Sequence, residues 1–211
     1  MQVAILLFDG VTALDAVGPY EVLKLLPGAD VRLVAGAPGE KATDGGPLRL
    51  VADQALAEVS SPEIVLVPGG PGARALFDDE SVLAWLRSAH ERSRWTTSVC
   101  WGSAVLGAAG LLEGLRATSH WRAREDLALH GALPVAERVV IDGKVITSAG
   151  VSAGIDMALR LAALEAGESV AQAIQLLIEY DPQPPFDAGS PERAPAEVVE
   201  LVRGGRISWG G

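Results

Sequence analysis

The chain has one cysteine, three histidines and few aromatics, 5% of its 211 residues. A single cysteine excludes an internal disulfide and permits a reducing compartment. Basic side chains are also scarce. Seventeen Lys and Arg stand against 27 Asp and Glu, for a net charge of −10. That balance repels phosphate backbones and anionic lipid headgroups, and no Lys/Arg run offsets it. Nucleic acid and membrane surfaces are therefore not expected partners. No apolar stretch is long enough to span a bilayer. The first ten residues lack the basic start and long apolar run of a signal peptide. A soluble, cytoplasmic protein is expected. No paired Cys/His or His-x-Glu spacing offers a metal site, and no Gly-Lys-Ser/Thr follows the glycine-rich loop at 69–72. No cofactor and no metal are expected.

The hydrophobic fraction, 49%, suits a globular chain with a full core. Val3 to Phe8 is a continuous apolar run, as expected of a parallel strand buried on both faces. A helix follows, entered at Pro19 and stopped by Pro27-Gly28. Val31–Ala35 and Glu63–Val67 read as further strands, and Leu48–Ala52 as a short edge strand after a turn-rich stretch. A helix is expected from about Ala73 to Glu91. Val139 to Thr147 reads as a small β-hairpin around Asp142-Gly143. Helical stretches follow at 153–166, 169–180 and 196–202. Residues 181–195 form a Pro/Gly-rich loop or surface arm. Strands alternating with helices predict one α/β domain over 1–211, a parallel sheet with helices on both faces. In such open sheets ligands bind at the C-terminal strand ends, where Asp9–Asp15, Gly69–Gly72 and Cys100 fall.

Cys100 lies in Ser98-Val99-Cys100-Trp101-Gly102, between a β-type run, Trp95–Val99, and a small-residue helical stretch, Ala104–Ala109. A reactive atom between strand end and helix start is the layout of a nucleophile elbow, whose tight turn requires small neighbours. Ser98 and Gly102 meet that demand. The first turn of a helix presents unpartnered N–H groups and a positive dipole end, so the layout predicts a thiol with a lowered pKa. The alternative is a buried structural cysteine; the flanking pattern favours the nucleophile.

Three further positions join it. Gly69-Gly70 follows a strand and opens a helix, so the N–H of Gly70, with that of Trp101, is a candidate oxyanion donor; the alternative is a turn serving chain geometry alone. Asp15 is an acid amid Leu14, Ala16 and Val17. It is either an ordinary acid near a helix N-terminus or a carboxyl facing the sulfur, held protonated by burial and able to give up a proton. Of the histidines, His90 reads as a solvated surface residue and His130 as a helix C-terminus. His120, beside Trp121, is the catalytic candidate, weighed against a structural role.

These residues resemble the ThiJ/PfpI superfamily, of flavodoxin-like, class I glutamine amidotransferase-like fold, and within it the hydratases that act on isonitriles. The resemblance runs over nearly the whole chain. It includes Leu14-Asp15 with Gly18-Pro19, Val67-Pro68-Gly69-Gly70, Thr97-Ser98-Val99-Cys100, Gly107–Leu112, Arg116-Ala117-Thr118 with His120-Trp121, and Pro184-Pro185-Phe186 with Ala188-Gly189-Ser190-Pro191. It implies that Cys100 is the nucleophile, Asp15 the acid and Gly70 the oxyanion glycine, with Gly69 beside it. It also implies a homodimer that takes a small-molecule substrate and hydrates an isonitrile to an N-substituted formamide through a thioimidate. One departure is evident: such hydratases usually carry threonine after the cysteine, and Trp101 stands there. A basic C-terminal helix is also expected to be shorter. The rival readings are a glyoxalase-like enzyme using His120, and a ligand or redox sensor related to AraC-type regulator sensor domains. Against the latter, no helix-turn-helix domain is expected after residue 211. A Cys-His protease would want histidine where Trp101 stands, and a glutamine amidotransferase a His-x-Glu where His130-Gly131-Ala132 stands.

Overall fold

The computed structural model describes residues 1–208. Its strands are β1 (Gln2–Leu6), β2 (Asp30–Ala35), β3 (Gly39–Ala42), β4 (Arg49–Ala52), β5 (Gln54–Ala55), β6 (Ile64–Val67), β7 (Trp95–Val99), β8 (Arg116–Ala117), β9 (Leu133–Pro134), β10 (Val139–Asp142) and β11 (Val145–Ser148). Its helices are α1 (Ala13–Leu23), α2 (Glu80–Arg92), α3 (Gly102–Ala108), α4 (Ala153–Ala166), α5 (Glu168–Leu177) and α6 (Ala196–Arg203). Seven strands form one sheet in the order β10-β11-β7-β6-β1-β2-β5, parallel except where β10 meets β11.

The apolar runs of the central strands supply both faces of this sheet. Val3, Ile5, Ile64 and Leu66 point to a core shared with Val22 and Leu23 of α1, Met157 and Leu161 of α4, and Ile174 of α5. Ala4, Leu6, Val65 and Val67 point the other way, to Val82 and Leu86 of α2 and Val105 and Leu106 of α3. Successive strand residues face opposite sides, so a strand covered on both sides must be apolar throughout. This is the expected α/β sandwich.

Several boundaries differ from the sequence reading. Helix α1 begins at Ala13, six residues before Pro19, which lies inside it. Proline removes one helical donor, but here its ring packs where α1 crosses α4: a Cβ on Gly154 would come within 3.0 Å of Pro19 Cγ. Tertiary packing thus offsets a local penalty. The helix expected from Ala73 is divided. Pro71–Leu76 forms a 3₁₀ turn, and α2 starts afresh behind Asp79, whose carboxylate accepts from the Ser81 and Val82 amides at 3.0 and 3.3 Å. The turn-rich stretch contributes β3, which pairs antiparallel with β4 outside the main sheet. The hairpin at 139–148 is not a separate unit. Its turn residues are Gly143-Lys144, and β11 pairs with the cysteine strand β7. Residues 181–195 carry no helix or strand, as expected. His90 is not solvated as the sequence suggests: it is half-buried, its Nδ1 lies 2.9 Å from Thr96 Oγ1, and its carbonyl accepts from Lys144. Among the described residues no helix is long and apolar enough to cross a membrane.

The chain lays β2 and β5 on one side of β1, then returns to lay β6, β7 and β11 on the other. The crevice outside the strand ends at such a reversal is where ligands bind in open sheets. The segments after β1, β6 and β7 meet there.

Candidate active site

Cys100 follows the last residue of β7 and has φ 57°, one of two non-glycine residues among those described with positive φ. A left-handed backbone at a residue with a side chain costs about 1–3 kcal/mol and persists only where its surroundings enforce it. Those surroundings are explicit. The Cys100 amide donates to the Ser148 and Ala149 carbonyls at 3.1 and 3.3 Å. The Cys100 carbonyl accepts from the Ser103 and Ser119 hydroxyls at 3.0 and 2.8 Å. Gly102 allows the turn, since a Cβ there would sit 2.0 Å from the Val67 carbonyl oxygen. The small-x-Cys-x-Gly pattern therefore reports a real close approach between the elbow and β6.

Asp15 occupies the first turn of α1 and is fully buried. Its Oδ2 accepts from the Gly69 amide at 2.9 Å. Its Oδ1 is buried and has no hydrogen-bond partner among the described residues. The carboxyl and the Cys100 thiol are close enough to shift each other's ionisation. Gly69 is what lets the two meet. A Cβ on Gly69 would lie 2.9 Å from Asp15 Oδ2, 2.9 Å from Cys100 Cβ and 2.5 Å from the Trp101 amide nitrogen. Acid, sulfur and amide thus converge on a point that only glycine leaves empty. Gly70, at φ 125°, is confined as tightly, with a Cβ there 2.4 Å from the Gly10 carbonyl.

Burial governs the electrostatics. It pushes the Asp15 carboxyl up to about 7, against the opposing hydrogen bond from Gly69. The Cys100 thiol is also pushed well above its ordinary value, by burial first and the Asp15 charge second, and is drawn down by the Trp101 N–H. The expectation that the helix end alone lowers the thiol pKa is thereby corrected. Helix α3 has only seven residues, and desolvation of Cys100, a residue only 2% exposed, outweighs its dipole. Each charge opposes the other's ionisation, so the two groups titrate as a coupled pair. Singly ionised, it contains either carboxylate and thiol or acid and thiolate. The Trp101 N–H, expected to serve as an oxyanion donor, acts on the thiol in the direction of the second form, against burial and the Asp15 charge.

Cys100, Gly70 and Trp101 line a cavity of about 350 Å³, together with Thr12, Arg74 and Arg122. Trp101 is half-buried, and its indole Nε1 has no acceptor among the described residues. His120 is placed elsewhere. It lines a neighbouring cavity of about 450 Å³ with Thr118, Trp121 and Arg138. Its Nδ1 accepts from the Arg122 amide at 3.3 Å, and burial followed by the Arg122 charge drops its pKa to about 4, so it is neutral at pH 7. Gly150 makes room for it, since a Cβ there would strike the imidazole at 2.1 Å. Sequence reasoning missed Ser103, Ser119 and Ser148, which brace the elbow, and the two arginines. Ser119 adjoins His120 and Ser148 ends a strand, but only the fold brings either to Cys100.

Residues 1–164 match the DJ-1/PfpI family. The chain belongs to the DJ-1/PfpI family. It is 45% identical over 203 residues to an isonitrile hydratase of Pseudomonas putida, covering 96% of this chain and 89% of that protein. A crystal structure of a ThiJ/PfpI family protein from Pseudomonas syringae superposes with a TM-score of 0.92 at 41% identity, over 96% of this chain and 86% of that one. A glutathione-independent glyoxalase of Caenorhabditis elegans is 29% identical over 131 residues, 61% of this chain and 70% of that protein. The DJ-1/PfpI match ends within α4, so α5, the 181–195 arm and α6 lie beyond it; the Pseudomonas similarities extend over most of them.

Proposed function

We propose that this protein is a cysteine-dependent hydro-lyase that hydrates an isonitrile to an N-substituted formamide. The observation that carries the reading is the buried Asp15–Cys100 pair meeting across Gly69, in a chain 45% identical to an isonitrile hydratase. An isonitrile presents a terminal carbon that must gain one nucleophile and one proton. The singly protonated pair supplies both: Cys100 thiolate forms the C–S bond, and Asp15 delivers its proton to the same carbon. The product is a thioimidate, R–N=CH–S–Cys100, with Asp15 left as carboxylate. Water then adds across C=N. Asp15 accepts the water proton and passes it to nitrogen while the hydroxyl bonds carbon. Collapse of the tetrahedral adduct expels the thiolate and returns the hydroxyl proton to Asp15. The outcome is R–NH–CHO, and the pair ends as it began. The Gly70 N–H, at the cavity wall, is the proposed donor to developing oxygen charge.

A second copy of the chain belongs to this reading. The outer face of α1 leaves Leu14 and Val17 exposed, and a homodimer would cover them.

The direct test is formamide production from cyclohexyl isocyanide, with Cys100→Ala alongside. Turnover by the wild type and none by the variant is expected. No turnover by well-folded wild type on any isonitrile would defeat the reading. A glyoxalase reading lacks its histidine here, because His120 faces the other cavity.

A further inference from the structure

Arg74 and Arg122 enter the cysteine cavity from different segments, Arg74 from the 3₁₀ turn after Gly70 and Arg122 from the loop after β8. Both are exposed at the mouth, and among the described residues neither pairs with a carboxylate. In a chain of net charge −10, eight arginines, Arg32, Arg87, Arg94, Arg116, Arg124, Arg138, Arg193 and Arg203, pair with acids; of the other six, only Arg74 and Arg122 line this cavity among the described residues. The nearby acid Asp44 is engaged by the Thr12 hydroxyl at 2.6 Å. None of the described residues lining the cavity is acidic. A cavity lined by two arginines and the Gly70 backbone offers positive charge and donors, with no described carboxylate to oppose them. An alicyclic or alkyl isonitrile would leave these donors unmatched.

Resting on the isonitrile reading above, we infer that the substrate is an isonitrile bearing a carboxylate, held by Arg74 and Arg122 with its isocyano carbon toward Cys100. Planar guanidinium forks match a carboxylate in shape and charge. The product is then an N-formyl amino acid. Hydration is unchanged in its balance: one water is consumed, the isocyano carbon gains hydrogen and oxygen, and the carboxylate stays intact.

The test compares isocyanoacetate with its uncharged methyl ester at fixed ionic strength, using cyclohexyl isocyanide as a third substrate. The wild type should favour isocyanoacetate over the ester by about tenfold or more in kcat/KM. Arg74→Gln with Arg122→Gln should collapse that ratio toward one, chiefly through KM for the acid. Arg160→Gln, an exposed arginine on α4, should leave it intact. Both target side chains are exposed, so the double variant should fold; thermal unfolding checks this. In parallel, alkylation of Cys100 by iodoacetate and iodoacetamide reads the same field without turnover. Iodoacetate should be favoured relative to the ratio seen with a free thiol, and the double variant should lose the preference. Hydration of cyclohexyl isocyanide and the ester with no advantage for the acid overturns the inference and leaves hydratase activity standing. An arginine-dependent iodoacetate preference with no isonitrile hydrated defeats the hydratase reading, and the isonitrile named here with it.

Discussion

Two cavities lie side by side at the C-terminal end of the sheet and differ in kind. The larger, around His120, is edged by arginines already paired: Arg138 with Asp156, Arg193 with Asp187, Arg124 with Glu125. The smaller is lined by a left-handed Cys100 and two arginines without acid partners among the described residues, and behind the sulfur lies a buried carboxyl with one oxygen unmatched among those residues. Size would rank them one way and chemistry the other. Strain and unmatched polarity are costly, and folding places them where reaction uses them. A wall joins the two, since the Ser119 hydroxyl and the Ala149 carbonyl both hold the Cys100 backbone. The His120 side thus braces the elbow.

The contrast can be broken most forcefully at Asp15. Asp15→Asn should lower hydration kcat by about 10²–10⁴-fold, since it deletes the proton donor while retaining an acceptor for the Gly69 amide. The same variant should gain stability. A carboxyl raised to about 7 from 3.8 in the fold stabilises fully below the ordinary carboxylate range, and that contribution is lost as pH rises through about 7. Asn should therefore unfold at higher temperature than wild type at pH 8, with little difference at pH 4. The gain is bounded by about 4 kcal/mol.

Trp101→Thr should sharpen the contrast from the other side. It removes an indole packed against both apolar cores, costing about 2 kcal/mol of stability. It also widens the cysteine cavity, so bulky isonitriles should show lower KM than with the wild type in steady-state assays. The smallest effect is expected at His120. With His120→Gln, kcat should change by less than about threefold, because a neutral imidazole facing the other cavity moves no proton in the proposed cycle. A loss comparable with that of Asp15→Asn would merge the two cavities into one site and revive the glyoxalase alternative.

Much of this arrangement was legible in the chain. The buried parallel strands could be read because both-face burial forces continuous apolar runs such as Val3–Phe8. The elbow could be read because close approach forces Gly102. Pro19 misled, since local helix rules are overridden where its ring packs at Gly154. The division of the 71–92 segment was missed because the Asp79 cap lies inside an otherwise helical pattern. At the site, Asp15 and Cys100 were identifiable as an odd acid and a lone thiol, and Gly69 as a glycine beside them. What the sequence does not carry is balance among opposing terms. Helix geometry argued for a lowered thiol pKa, and only the degree of burial reverses it. Arg74 and Arg122 were invisible for a similar reason: they lie 48 positions apart, and nothing local marks an arginine as unpaired.

The central claim is that Asp15 and Cys100 share one proton at neutral pH. The pH dependence of iodoacetamide alkylation at Cys100, in wild type and Asp15→Asn, tests it most directly. The account predicts two steps for the wild type, a first rise through about pH 7 to a plateau and a second at strongly alkaline pH, with the first step absent in Asp15→Asn. A single alkaline step in the wild type, unmoved by Asp15→Asn, would contradict it.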